Sequence, residues 1–222
     1  MEFLETVNNR HSVRDFSDRL VKRADLEDIV QTAGKAPSWA NDQPWKVVIA
    51  TGQTLAEIKK NHLASSMNGR MENSEFPSLH RASMGRQGQS NLRIWSSGIH
   101  KFLGANVNDM YDDSANLFNA PAIAYLLLPA DLSAWTTYDL GAFGQTLMLA
   151  AKDKGIDSIP AEEFVLNPTA LHQILGIDND YVIGMGIGLG YAKDAKINDF
   201  RSKKNRARVF GLINLLNEVL SS

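Results

Sequence analysis

The chain has 222 residues, 44 % hydrophobic and 22 % charged, with a formal net charge of −2; this excludes whole-chain disorder, a collagen-like fibre and a coiled coil, and the length suffices for a sizeable core. The near balance of charge offers no global field to attract nucleic acid or an anionic membrane. The absence of cysteine excludes disulfides, thiolate metal sites and a cysteine nucleophile, and it fits a reducing, cytoplasmic setting.

The opening MEFLETVNNR is polar and acidic, so no signal peptide is expected. Within it, Phe3, Leu4 and Val7 share one face of a helix over Glu2 to Asn9. A second helix is expected from about Lys22 to Lys35, with Leu26, Ile29, Val30 and Ala33 as its apolar stripe. Ala36-Pro37-Ser38 ends it, because the residue before proline avoids the helical region. Trp45 to Thr51 reads as a strand closed by Gly52, and Thr54 caps a helix reaching roughly Leu63. From His62 to Asn119 the composition shifts to Ser, Asn, Gly and Met, with isolated large apolars at Phe76, Trp95, Phe102, Tyr111 and Phe118. Helices joined by long loops are expected there: a variable lid or surface excursion on one domain spanning residues 1–222.

Order returns at Ala122 to Leu128, a short continuous apolar run that reads as a buried strand. The longest apolar stretch, Ala120 to Ala130, is too short to cross a bilayer. Asp131 to Lys154 is a long helix with Leu140, Phe143, Gly144, Leu147, Met148 and Ala151 inward, stopped by Gly155. Its small residues Gly141, Ala142 and Gly144 predict close helix packing. Pro168 to Leu175 is a short helix with Asn167 as cap. Tyr181 to Tyr191 is another buried strand, and Ala207 to about Leu220 a helix whose stripe Val209, Leu212, Ile213, Leu216 and Leu220 needs a surface to pack on. Few apolar strands mixed with many helices predict a central sheet covered on both faces, hence α+β or α/β.

Three segments carry candidate chemistry. In Arg10-His11-Ser12-Val13-Arg14 an extended backbone sends Arg10, Ser12 and Arg14 to one side. Two guanidinium forks around a hydroxyl suit a ligand with several anionic or carbonyl oxygens, although a solvated basic turn has the same residues. In Ala36 to Trp45, Pro37 and Pro44 stiffen a loop whose Ser38, Asn41 and Gln43 could read the edge of a heterocycle, or simply join a helix to a strand. Lys193 to Arg208 holds seven basic residues against two acidic ones on an otherwise acidic chain. That pattern fits a bound phosphate better than a long nucleic acid, the alternative being a solvated tail. Gly184, Gly186, Gly188 and Gly190 alternate in the last strand with no helix following, so they are read as letting a neighbouring helix lie close. The five histidines show no ligand spacing, so no metal is expected.

Together these segments resemble the nitroreductase family of flavin enzymes. The matching pieces are Arg10-His11-Ser12-Val13-Arg14-Asp15-Phe16, Ala36-Pro37-Ser38 with Asn41 and Gln43-Pro44-Trp45, and Phe118-Asn119-Ala120-Pro121. There follow Asp139-Leu140-Gly141-Ala142 with Gln145, Leu149-Ala150-Ala151 and Gly155, then Pro160-Ala161-Glu162-Glu163-Phe164. Last come Gly188-Leu189-Gly190-Tyr191 and Asn198 with Arg201-Ser202 and Lys204. They stand in the family's order and leave only the region from His62 to Asn116 as a poor match.

The resemblance implies an α+β fold with a mixed, mainly antiparallel sheet flanked by helices, in an intertwined homodimer with no membrane and no nucleic-acid partner. It implies one FMN in each of two shared clefts, reduced by NADH or NADPH and reoxidised by nitroaromatics, quinones or similar small acceptors in a ping-pong cycle. Arg10, Ser12 and Arg14, with His11 between them, would hold the phosphate, ribityl chain and pyrimidine edge. Arg201 would grip the phosphate, helped by Lys204 where arginine is commoner in the family. Pro37, Ser38, Trp39, Asn41 and Gln43 would line the ring, Asn41 from the other subunit. Pro160, Glu162 and Glu163 would sit beside it with a backbone N–H at flavin N5, and Asn68 would reach a pyrimidine carbonyl. No side chain need act as acid or base, because the cofactor does the chemistry and the protein supplies position and field. The alternatives are the same fold with reductive dehalogenation or flavin fragmentation as its chemistry, or a non-catalytic FMN-binding carrier or sensor.

Overall fold

Three apolar runs and one short segment pair into a four-stranded sheet in the computed structural model, which describes residues 2–76 and 81–205. The strands are β1 (Lys46–Thr51), β2 (Ala122–Pro129), β3 (Asp157–Ala161) and β4 (Tyr181–Gly190), in the order β1-β2-β4-β3. Every neighbouring pair is antiparallel. The mixed character expected from the family resemblance reduces to one parallel bridge, Ser12 to Ser158.

The helices are α1 (Phe3–Asn9), α2 (Arg23–Ala33), α3 (Gly52–Met67), α4 (Arg86–Leu103), α5 (Val107–Ala115), α6 (Ala134–Asp153), α7 (Pro168–Leu175) and the short α8 (Lys196–Asp199). They cover both faces of the sheet, which gives the α+β class. Strand pleating divides β2 between two cores. Ala122, Ala124, Leu126 and Leu128 pack with Leu26 and Ile29 of α2 and with Leu140, Phe143 and Leu147 of α6. Ile123, Tyr125 and Leu127 pack with Leu55 and Ile58 of α3, Leu171 of α7 and Phe164. Burial on both sides is why the β2 sequence is an unbroken apolar run.

α6 starts at Ala134, later than the apolar pattern suggested, because Ser133 accepts from the Thr136 N–H (3.1 Å) while the Thr136 hydroxyl accepts from the Ser133 N–H (2.9 Å). This reciprocal capping box fixes the start. Gly144 lies against Leu126 and Ile187, the close packing its size predicts, whereas the space above Gly141 is open. α3 likewise begins two residues before Thr54, with Thr51 in the cap position.

Several expectations need correction. The excursion is more regular than its composition suggested: α4 and α5 fill most of residues 86–115. Scattered Gly, Ser and Asn lower intrinsic propensity, but Ile99 and Leu103 bury against Ile197, and Phe102 stacks on Phe200 with ring centroids 5.7 Å apart. Packing of that stripe outweighs propensity. β3 was not expected at all: it is short and contains Pro160, which the sheet accommodates because β3 is an edge strand. Asn167 precedes α7 but does not cap it with its side chain. Its Oδ1 accepts from the Glu72 N–H at 2.8 Å, and its own N–H donates to the Glu72 carbonyl at 3.1 Å, tying down the chain after α3. Of the β4 glycines, only Gly184 makes room for a helix, through Leu140 of α6. A Cβ at Gly186 or Gly188 would run into Phe164, and one at Gly190 into Pro121 and Phe16. Among the described residues no helix is long and apolar enough to cross a membrane. The helix expected over Ala207 to Leu220 lies outside the described residues.

Candidate functional site

After α1 the chain turns extended at Arg10 and runs beside the free edge of β3. The Val13 N–H donates to the Ser158 carbonyl (3.2 Å), and the Phe16 N–H to that of Phe118 (3.0 Å). Val13 is fully buried, so alternation turns Arg10, Ser12 and Arg14 the other way. There they line a groove of about 430 Å³ together with His11, Arg201 and Lys204. The sequence pattern placed Arg10, Ser12 and Arg14 on one side, and the structure brings Arg201 and Lys204 to the same place.

One side chain closes this groove. Asn198 of α8 is buried, and its Oδ1 accepts from the N–H groups of Arg14 (2.7 Å) and Asp15 (3.2 Å). Its Nδ2 donates to the carbonyls of Asp15 (2.7 Å) and Lys193 (2.9 Å). Asn198 thus locks α8 against the Arg14 segment and delivers Arg201, three residues on, to the groove. Arg201 in turn donates to the Asn198 and Phe200 carbonyls, and Arg14 to that of Ser12 at 3.2 Å. The sequence displayed Asn198 inside a matching segment without revealing this role. The only signal was an amide three residues before a guanidinium.

The electrostatics of the groove suit an anion. Among the described residues, no carboxylate lies within ion-pair distance of Arg10, Arg14 or Arg201. Burial lowers the pKa of Arg10 and of Arg14, and the Arg201 guanidinium lowers Arg14 further. His11 is also lowered, chiefly by burial. Its Nδ1 lies 2.9 Å from the Asn9 carbonyl, so that nitrogen carries the proton. Like charges gathered in a partly buried groove without a counter-charge are costly, and a phosphate meets all of them at once.

None of the remaining site residues lines this groove within one chain. Trp39–Asn41 forms a tight turn with positive φ at Ala40 and Asn41, followed by positive φ at Gln43. The Ser38 hydroxyl accepts from the Gln43 N–H (3.0 Å), and buried Asp139 of α6 accepts from the Trp39 N–H (3.0 Å). Pro37, Asn41 and Gln43 are exposed, as is Trp39 at 62 %, and none lines the groove. Pro160 stands two residues beyond Ser158, which bridges Ser12, so it continues the edge along which Arg14 lies. Glu162 and Glu163 follow in the turn Glu162–Val165. Burial raises the pKa of Glu163, which hydrogen-bonds Ser114 of α5. Asn68, exposed at the end of α3, is not brought to the groove.

Guanidinium groups with no carboxylate partner among the described residues thus gather at the edge of an antiparallel sheet wrapped by helices, a donor set of the kind that suits a phosphate. Residues 7–191 match the model of the nitroreductase family, and the chain belongs to that family. It is 27 % identical over 222 residues to the 4-nitrobenzoate reductase of Pseudomonas putida, covering 94 % of each chain. It is 28 % identical over 201 residues to nitroreductase NfnB of Mycolicibacterium smegmatis, covering 88 % of this chain and 85 % of that one. The fold is similar to the crystal structure of the FMN-dependent nitroreductase NfnB from Mycobacterium smegmatis in complex with NADPH. That likeness has a TM-score of 0.86 at 25 % identity and covers 94 % of this chain and 97 % of the other.

Proposed function

We propose that this chain is an FMN-dependent oxidoreductase that takes reducing equivalents from NAD(P)H and passes them to nitroaromatic, quinone or similar small acceptors. The observation that carries the reading is the convergence of Arg10, Arg14 and Arg201 around Ser12 with no carboxylate partner among the described residues. The donor set fits an FMN phosphate and its polar chain. The printed names of relatives over nearly the full length, a 4-nitrobenzoate reductase and an FMN-dependent nitroreductase held with NADPH, support the same chemistry.

In this reading Arg10 and Arg201, with Lys204, neutralise the phosphate through charge-assisted hydrogen bonds. The Ser12 hydroxyl meets the ribityl chain, and Arg14 faces the pyrimidine edge, where a cation favours the reduced, anionic state. Pro160, Glu162 and Glu163 border the ring, with a backbone N–H of Glu162 or Glu163 giving the reactive edge a donor. When bound, the flavin supplies hydride acceptance at N5, and donor and acceptor use one cleft in turn. A second copy of the chain contributes the stiff Pro37–Gln43 loop, since that loop is exposed and remote from the groove of its own chain. Exposed Phe3, Leu4, Trp135 and Tyr138 offer apolar surface for that homodimer.

Apoprotein titrated with FMN should turn yellow, bleach under anaerobic NADPH, and recover its colour when a nitroaromatic such as 4-nitrobenzoate is added. A protein that takes up no FMN overturns the reading; one that binds FMN but is not bleached by NADH or NADPH reduces it to a carrier.

A further inference from the structure

The buried face of α3 carries one histidine. Leu55, Ile58 and His62 follow at helical spacing, and His62 is only 4 % exposed. Its Nε2 is sealed from solvent and has no hydrogen-bond partner. The Glu163 Oε2 lies 3.6 Å away, just beyond a direct hydrogen bond. Both side chains line an internal cavity of about 10 Å³, also bordered by Asn61, Leu117 and Asn167. Such a space holds about one water, with polar partners on two sides.

Glu163 belongs to the turn after β3. The next residue, Phe164, is buried with its ring over Gly186 and Gly188 of β4, so one side of the turn is fixed by packing. The other side carries the Glu163 carboxyl, which faces the Ser114 hydroxyl of α5. A purely space-filling role on α3 would be served by an apolar residue, with no buried polar nitrogen to desolvate.

We propose that His62, through one bridging water, holds the Glu163 carboxyl and thereby aims the backbone N–H groups of this turn at the flavin ring. The proposal rests on the FMN reading above. His62 acts through Glu163 and is a positioning residue. Burial lowers the pKa of the imidazole and raises that of the carboxyl, which brings their titrations together. The charged groups facing the pair are Glu163 itself and its neighbour Glu162. α5 adds the Ser114 hydroxyl, and α7 adds only Ala170, Leu171 and Ile174. Lys59, one turn earlier on α3, lines a different cavity.

The test uses the protein loaded with ¹⁵N-labelled FMN, whose N5 resonance reports hydrogen-bond donors at N5. His62→Leu removes the polar tip and keeps the space filled, while His62→Gln keeps an N–H donor. The leucine variant should shift the N5 resonance toward that of free FMN and shift the flavin midpoint potential, and the glutamine variant should restore both. In the wild type, the N5 resonance should inflect at the pH where the His62 imidazole titrates. The proposal is overturned if His62→Leu keeps the wild-type resonance and potential, or if His62 titrates without moving N5; the second measurement decides even where the leucine variant does not fold. Failure of the wild type to take up FMN is a separate outcome, which removes the FMN reading and this proposal together.

Discussion

Asp113, near the C-terminal end of α5, is held in an unfavourable position. Asn119 donates to both Asp15 (3.0 Å) and Asp113 (3.2 Å), which draws two carboxylates together, although Lys193 sits 3.0 Å from Asp15. Burial, and then the Asp15 charge, push Asp113 up to about 6 from its ordinary 3.8. A negative group in the last turn also opposes the helix dipole. The folded chain therefore binds this proton more tightly than the unfolded chain, so stability rises as pH falls from about 6 toward 3.8 and is reduced above that window. Asp113→Asn keeps an acceptor for Asn119 and removes the charge. It should stabilise by about 1 kcal/mol at pH 8 after allowing for solvent screening, with the gain fading by pH 4; thermal melts at both pH values check this. In the groove, Arg10→Ala and Arg201→Ala should each weaken FMN binding by about 1.5–3 kcal/mol, roughly tenfold or more in Kd. Unchanged titration curves for both variants would contradict the cradle. Arg10, Ser12 and Arg14 were readable as one face from alternation, and as a ligand site only from the family resemblance, since a solvated basic turn has the same pattern. Asn198 and His62 were not, because an amide or imidazole in a sequence carries no mark of a partner 184 or 101 positions away.

Elements defined by long apolar stripes were the most legible. The inward face of α6 and both long central strands follow from periodicity, since burial there repeats at 3.6 or runs unbroken. β3 was hidden because five residues with a proline resemble a loop until a neighbour pairs with them. The glycines of β4 were recognised as close approaches, but at Gly186 and Gly188 the approaching group is the Phe164 side chain. That distinction is testable. Gly188→Ala should cost about 1–3 kcal/mol by overpacking against Phe164, lowering Tm by several degrees. The double variant Gly188→Ala with Phe164→Leu should recover part of that loss, as coupled neighbours do; equal melting of wild type and Gly188→Ala would remove Phe164 from this role. The connection before β2 shows a different economy. Leu117, Phe118 and Asn119 all have positive φ (51°, 54° and 59°), a run disfavoured for side-chain-bearing residues. It is held by buried Leu117 and Phe118 and by the Asn119 amide, none of which reads as a turn signal in sequence.

At the scale of the whole molecule, large apolar side chains remain on the surface of one protomer: Phe3 is 69 % exposed, Trp135 62 % and Tyr138 67 %. With the detached Pro37–Gln43 loop, they favour the proposed homodimer, which for an obligate pair buries roughly 2,000 Å² or more. Sedimentation across a dilution series should show flavin release and loss of structure following dissociation. A folded, flavin-loaded monomer at low concentration contradicts that coupling. The α+β class and the family were legible from motifs spread along most of the chain, while the proposed pairing of two copies entered only through the family resemblance. The Asn198 clasp also bears on how the groove comes into being. It joins residues 14 and 198, 184 positions apart, and Arg201 comes later still. Neither segment can therefore build the arginine cradle alone: it exists only once the long loop between them has closed, so affinity for a phosphate in the groove reports completion of the whole fold.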